Sequence, residues 1–474
     1  MRILFLLAIG FFSFSSAEAR QSPFGTCPIP GYENDNSVDC GFIEVPENRN
    51  DPNSRKIQLA FLVLKARKAN AEKDPIVYLT GGPGGATLIQ AGFWANSPLR
   101  RDRDFVLVDQ RGTGYSNAVC NDLGTDLLSI LAEDYDMAEE DKALREAAAG
   151  CKAELKKAGV DQAGYNTVHN AQDLDDLRKA LGYEKWNLFG GSYGSRLALV
   201  YMRDFPDQTK TAVISALFPP QSSLYENFIG NFNRSLSLMF DACEADGSCN
   251  RRYPDIRNIF FEVLKSLEQK PYTFKWGGEP FVLNAQDMLM LTHQLLYARQ
   301  TYGQIPNLIM AIKEKDESVL QAAVQTLSGR AQIINFAMNW SFNAYDEIAF
   351  YGGADIRKDL EAHPKLKPGP AFFMNDPDIV AEWHLHRAPA SEKEPIHSDI
   401  PTLLANGTLD PVTPPDNARE TLKTLPNGYF AEFPSDGHSV FGGCYFGMVQ
   451  QFLDNPDKAP DMSCAAKPLR VNWR

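Results

Sequence analysis

Trp186-Asn187-Leu188-Phe189-Gly190-Gly191-Ser192-Tyr193-Gly194 reads as an apolar strand running into Gly-x-Ser-x-Gly, and residues 195–204 behind it read as a helix. A turn that lifts a serine above the end of a sheet is too tight for side chains on either side, and glycine stands at both 190 and 194. The pentapeptide alone is common by chance. The strand before it and the helix after it select a nucleophile, Ser192, over an ordinary glycine-rich turn.

Outward from this point, short β-rich runs at 57–64, 76–79, 105–108, 186–189 and 212–216 alternate with helical patterns at 143–157, 171–181 and 195–204. Several of the runs are apolar throughout, as strands buried on both faces must be. The rhythm resumes at 401–405, 418–425, 429–433 and 447–453. The fold class is therefore α/β, a mostly parallel sheet with helices on both faces. Between 221 and 394 the alternation gives way to helices at 228–245, 256–269, 285–299, 305–313 and 319–327. This stretch predicts a large, mainly helical cap inserted before the strand that carries the acid, lying over the C-terminal edge of the sheet where α/β proteins bind ligands. The core is thereby divided into 20–220 and 395–474.

A serine hydroxyl needs a base, and the base an orienting carboxylate, which in this architecture follow the serine in the order acid, then histidine. Of seven histidines, His438 alone stands just after a late strand, in Pro434-Ser435-Asp436-Gly437-His438. The acid is Asp410, in the turn after the apolar run ending Leu403-Leu404-Ala405. Asp436 is too close in a tight loop to meet His438 well, and Asp399 precedes its strand. Gly81-Gly82-Pro83-Gly84-Gly85 follows another strand and can aim N–H groups at an anion. It lacks the Gly-Lys-Ser/Thr ending of a phosphate loop, so an oxyanion site is the better reading, with the N–H of Tyr193 as second donor. The loop 109–116 is expected to buttress it.

The chain has 474 residues, 47 Lys plus Arg against 60 Asp plus Glu, and a formal charge of −13. Length and composition exclude a disordered, collagen-like or miniprotein chain, and the acidic balance argues against nucleic acid as a partner. Residues 1–19 read as a removed secretory signal: Arg2, an apolar run too short to span a bilayer, then Ala17-Glu18-Ala19. The expectation is a secreted or periplasmic protein without a membrane anchor. All eight cysteines follow this segment, and pairing sequence neighbours joins Cys27 to Cys40, Cys120 to Cys151, Cys243 to Cys249 and Cys444 to Cys464. No Cys-x-x-Cys occurs, so no metal site is expected.

Taken together, Gly81-Gly82-Pro83-Gly84-Gly85, Asp109-Gln110-Arg111-Gly112-Thr113-Gly114, Gly190-Gly191-Ser192-Tyr193-Gly194, Asp410 and Gly437-His438 resemble the proline iminopeptidase and tripeptidyl aminopeptidase branch of the α/β-hydrolases. Thr80 departs from the histidine usual there. The resemblance implies the α/β-hydrolase fold, Gly82 as the oxyanion donor of the glycine loop, and no cofactor. It implies peptides with a free N-terminus as substrates, shortened by tripeptides or a single proline. Such enzymes hold the ammonium group on buried acids, and the family's acidic cap segment maps onto Ser341–Phe350, giving Asp346 or Glu347 that role. A carboxylesterase with the same triad is the alternative, followed by a non-catalytic binding protein; an aspartate-nucleophile hydrolase is disfavoured by the serine at the elbow.

Overall fold

The computed structural model describes residues 24–25, 27–68, 74–467 and 470–473; the expected signal, 1–19, lies outside them. Among the described residues ten strands occur: β1 Val38–Pro46, β2 Lys56–Leu64, β3 Ile76–Leu79, β4 Phe105–Val108, β5 Trp186–Gly191, β6 Thr209–Ser215, β7 Tyr272–Trp276, β8 Glu279–Leu283, β9 Thr402–Gly407 and β10 Gly428–Phe433. Eight form one sheet in the order β1-β2-β4-β3-β5-β6-β9-β10. The six strands from β4 to β10 run parallel, and β1 and β2 add an antiparallel edge.

Strand periodicity places alternate residues on opposite faces. Val77, Leu79, Val106 and Leu188 pack on Leu174, Leu177, Leu197 and Val200 of the helices Thr167–Leu181 and Tyr193–Asp204. Ile76, Phe105, Leu107 and Phe189 pack on the other face with Trp94 and with Tyr445, Met448 and Phe452 of the helix Gly443–Asp454. Each such side chain stabilises the fold by roughly 1.5–3 kcal/mol when fully buried, so the apolar strand runs set the three-layer architecture. All the parallel strands end at the same edge, and the loops leaving β3, β5, β9 and β10 carry the residues singled out above.

The segment between β6 and β9 is dominated by helices, among them Phe228–Ala245, Ile256–Gln269, Ala285–Leu295, Gln304–Glu314, Glu317–Ala331, Phe336–Asp346 and Asp376–Trp383. It has its own apolar core around Phe232, Phe240, Phe260, Met288 and Ile309. The helix expected to reach 299 ends at Leu295, because the Thr301 hydroxyl donates to the Leu295 and Ala298 carbonyls at 2.6 and 2.7 Å and turns the chain. The hairpin β7–β8 interrupts the helical run. Gly277 and Gly278, at φ of 61° and 96°, supply the positive φ that a two-residue hairpin turn needs. Disulfides join Cys27 to Cys40, Cys120 to Cys151, Cys243 to Cys249 and Cys444 to Cys464. No described helix is long and apolar enough to cross a membrane.

Candidate active site

Ser192 occupies the junction of β5 and the helix Tyr193–Asp204 with φ 57° and ψ −128°, a conformation that costs a non-glycine residue free energy and is kept only where the surroundings enforce it. They do so through close approach. A Cβ on Gly190 would lie 2.4 Å from the Gly194 carbonyl oxygen, and one on Gly194 would lie 1.9 Å from that of Leu79. The Ser192 N–H donates to the Ser215 carbonyl at 3.1 Å, and its own carbonyl accepts the Ser195 hydroxyl at 2.6 Å.

Asp410 and His438 leave the ends of β9 and β10 and meet. Nδ1 of His438 lies 3.0 Å from both carboxylate oxygens. A carboxylate accepts only, so Nδ1 carries the proton and Nε2 is left as an acceptor. Oδ1 of Asp410 accepts the N–H groups of Val412 and Thr413 at 2.8 Å each, and Oδ2 accepts the Thr413 hydroxyl at 2.7 Å. Burial alone would raise the Asp410 pKa, but His438 and these donors more than offset it and hold the group below its ordinary value. Arg234, from the helix Phe228–Ala245, donates to the carbonyls of Thr408 and Asp410 at 2.6 Å each and fixes the loop. Asp436 turns away and pairs with Arg299 at 3.5 Å. Of the other histidines, His169 bonds the Gly164 carbonyl at 2.9 Å, His384 bonds that of Ser341 at 3.0 Å, and His293 sits among Phe228, Phe232 and Phe373.

The glycine loop after β3 passes beside the serine: a Cβ on Gly81 would lie 2.8 Å from that of Ser192. Gly82 next to it has φ +125°, in the region that favours glycine. The loop 109–116 buttresses it. Asp109 accepts N–H groups of Thr87, Leu88 and Tyr115 at 2.6, 2.9 and 2.8 Å, and Gln110 donates to the Thr80 carbonyl at 3.1 Å. From the insert, Asn335 N–H donates to the Gly84 carbonyl at 2.9 Å and the Asn339 amide to that of Pro83 at 3.0 Å. Tyr193, expected as the second N–H donor, is anchored at its hydroxyl by Thr167 at 2.8 Å and Asn170 at 3.1 Å.

Ser192, His438, Gly81 and Gly82 all line one cavity of about 390 Å³ beneath the insert. Leu127, Leu128, Phe228, Met290 and Phe372 make its walls mostly apolar, and Gln294, Arg330, Asn339 and Asp376 are polar groups facing it. Such a volume suits a small ligand more than a folded chain. Asp376 accepts the Tyr225 hydroxyl at 2.9 Å and the Trp340 indole N–H at 2.8 Å, with no cation beside it among the described residues. Burial raises its pKa to about 6, only partly countered by those two donors.

The two acids expected to hold an amino terminus are placed differently. Neither lines the cavity. Glu347 is fully buried between Arg196 at 2.5 Å and Lys393 at 3.1 Å, and its other oxygen accepts the Leu224 N–H at 3.0 Å. Burial would raise its pKa, but the two cations outweigh that and keep it ionised, so its charge is already answered within the protein. Asp346 accepts the Thr167 hydroxyl at 2.5 Å, so it stands behind Tyr193 as a support. The expectation for these two residues is corrected on geometric grounds, and Asp376 is the acid that faces the cavity. Nothing local marked it, since Asn375-Asp376-Pro377-Asp378 reads as an ordinary helix start. No cluster of three or more metal-ligating side chains exists among the described residues.

Residues 74–244 match the family model described as alpha/beta hydrolase fold, and residues 371–464 match the one described as TAP-like protein. A tripeptidyl aminopeptidase of Streptomyces coelicolor is 32% identical over 197 residues, which cover 39% of this chain and 36% of that protein. A putative hydrolase of Escherichia coli, YuaR, is 24% identical over 98% of this chain and 96% of its own length. A proline iminopeptidase of Xylella fastidiosa is 24% identical over 78% of this chain and 85% of its own. The chain spans little more than a third of the Streptomyces relative it matches. With the parallel sheet, the serine at the turn after β5 and the acid and histidine after β9 and β10, these matches give the chain the α/β-hydrolase fold and a likeness in sequence to the proline iminopeptidases and tripeptidyl aminopeptidases.

Proposed function

We propose that the protein is a serine exopeptidase that releases short peptides, or a single residue, from free N-termini. Ser192 attacks the acyl carbon, and His438 takes the hydroxyl proton on Nε2 and returns it to the departing amine. Asp410 holds the imidazole in the required tautomer, and the N–H groups of Gly82 and Tyr193 stabilise the oxyanion. Water then repeats the sequence on the acyl-enzyme. The protein works outside the cytoplasm after removal of 1–19, with the disulfides above as support, and the segment 221–394 acts as the cap over its site.

One observation carries the exopeptidase reading: a half-buried acid with no cation beside it among the described residues, Asp376, faces the same cavity as Ser192 and His438. A desolvated carboxylate left unpaired is costly, and a substrate ammonium group restores its balance. The mostly apolar wall favours one second reading, a carboxylesterase using the same triad. The test is a matched panel of p-nitroanilides of Pro, Ala-Pro, Ala-Ala-Pro and N-acetyl-Ala-Ala-Pro beside a p-nitrophenyl ester, with Ser192→Ala as control. Cleavage of the free-amine anilides, lost on acetylation and on Ser192→Ala, is the expected result, and the longest leaving peptide sets the step length. Cleavage of the ester alone refutes the peptidase reading and keeps the triad.

A further inference from the structure

Arg330 lies near the C-terminal end of the helix Glu317–Ala331 and faces the cavity that holds Ser192 and His438. Its Nη1 donates to the backbone and side-chain oxygens of Gln294 at 2.7 and 3.0 Å, and its guanidinium carbon lies over the Tyr297 ring, 4.9 Å from the centroid. Nε and Nη2 donate to no protein group, and no carboxylate pairs with this arginine among the described residues. Two more deeply buried arginines differ in this respect. Arg111 is met by Asp173 at 2.7 Å and Arg196 by Glu347 at 2.5 Å. Burial lowers the Arg330 pKa, and Tyr297 rather than an acid counters it. A guanidinium held in a fixed orientation, partly stripped of water and with two free donor nitrogens, matches a planar anion in geometry as well as charge.

Its position within the site narrows the anion. In the proposed mechanism His438 gives its proton to the departing amine, so the leaving group emerges beside the imidazole. The Tyr297 ring packs against His438 with centroids 4.9 Å apart, and Arg330 packs on the same tyrosine. The guanidinium thus belongs to the histidine side of the cavity, and Asp376, held by Tyr225 and Trp340, belongs to a separate wall. The cavity, about 390 Å³, has room for a short peptide. We propose that Arg330 is the receptor for a carboxylate on the leaving-group side of the scissile bond, so that the favoured substrates are short peptides carrying a free C-terminal carboxylate as well as a free amino terminus. This inference rests on the peptidase reading for its place in turnover, and its test is read in binding so that the two can fail separately.

The measurement is calorimetric binding of Ala-Ala-Ala, Ala-Ala-Ala-amide and Ala-Ala-Glu-amide to the Ser192→Ala protein, alone and combined with Arg330→Gln or Arg330→Lys. The acid is expected to bind at least about tenfold more tightly than the amide, the advantage of one charge-assisted pair. Arg330→Gln brings that ratio close to one, and Arg330→Lys keeps part of it. Tight binding of Ala-Ala-Glu-amide identifies the side-chain carboxylate as a further source of the same anion. An acid-to-amide ratio near one with Arg330 present, or a ratio that Arg330→Gln leaves unchanged in a protein with an unaltered thermal midpoint, overturns the proposal. If the acid binds preferentially but the active protein fails to cleave any free-amine peptide, the peptidase reading falls and the carboxylate site stands.

Discussion

Replacing Asp410 by asparagine tests the proposed triad most directly, because the substitution keeps shape and removes one acceptor. The carboxylate accepts four hydrogen bonds: two backbone N–H groups on Oδ1, the Thr413 hydroxyl on Oδ2, and Nδ1–H of His438. Asparagine can keep its oxygen toward the two N–H groups at 2.8 Å, which places its NH2 where Oδ2 was, 3.0 Å from Nδ1. The NH2 donates to a bare Nδ1 and so favours the tautomer with the proton on Nε2 over the one whose Nδ1–H bonds the retained oxygen, also 3.0 Å away. Nε2 is the nitrogen that must accept the serine proton. A base in the wrong tautomer costs about 10⁴-fold in kcat where a serine triad operates, and losing one charge-assisted bond costs about 1–3 kcal/mol of stability. The assay is steady-state hydrolysis of the best anilide beside a thermal melt of the same preparation. The expected result is a kcat loss of that order with KM changed by less than about threefold, since Asp410 does not line the cavity. A folded Asp410→Asn protein retaining kcat within about tenfold refutes the assignment of Asp410 as the orienting acid.

Glu347→Gln removes the shared partner of Arg196 and Lys393, leaving two buried cations unanswered, and should cost about 3–5 kcal/mol in chemical denaturation; the preference for free-amine over acetylated substrates should persist, and its loss would return Glu347 to the binding site. Asp376, with its pKa raised to about 6, is neutral below that pH and ionised above it, so KM for free-amine substrates should fall as pH rises through about 6, and Asp376→Asn should abolish that limb. By the same sign, Asp376 contributes stability at low pH that is lost as pH rises through about 6. Gly194→Ala would drive a Cβ to 1.9 Å from the Leu79 carbonyl oxygen, two pieces of backbone with nowhere to go, and should yield insoluble or inactive protein on expression; a soluble, active variant would contradict the tight turn.

The parts of this molecule legible in the sequence are those where one short segment determines its own geometry. Apolar runs such as Phe105–Val108 and Trp186–Gly191 can be satisfied only inside a sheet covered on both faces, and all their residues but Gly191 are buried. Gly190 and Gly194 announce the turn because contacts within a few residues, and with the neighbouring strand, forbid a Cβ. The hairpin β7–β8 was equally legible through Gly277-Gly278 between β-prone residues, but it lay inside a run dominated by helical periodicity. Strand β1 was harder, because Val38–Pro46 contains a glycine and two acids and depends on pairing with β2. The insert's acids were misassigned for a different reason. Whether Glu347 binds a ligand or an internal ion pair depends on Arg196 and Lys393, which lie in other elements and leave no trace beside it. Asp376 and Arg330 stand out by having no counter-charge among the described residues, which only three dimensions reveal.

The helical segment between β6 and β9, besides covering the cavity, holds each loop of the proposed catalytic machinery. Arg234 clamps the two carbonyls of the Asp410 loop. Asn335 and Asn339 bind the glycine loop, and Asp346 reaches Tyr193 through Thr167. The Tyr297 carbonyl accepts the Ser439 N–H at 2.8 Å, just beyond His438, and a Cβ on Gly437 would lie 2.3 Å from the Leu296 carbonyl oxygen. A rigid swing of the insert away from the sheet would therefore break supports of the acid, the base and the oxyanion donors together. Access for substrate must come from local movement of the wall, and the apolar side chains lining it, few of them tied by hydrogen bonds, are the groups free to move. Selectivity and catalysis consequently share the same contacts, so substitutions that widen the cavity by loosening the insert should lower kcat before they broaden the range of substrates.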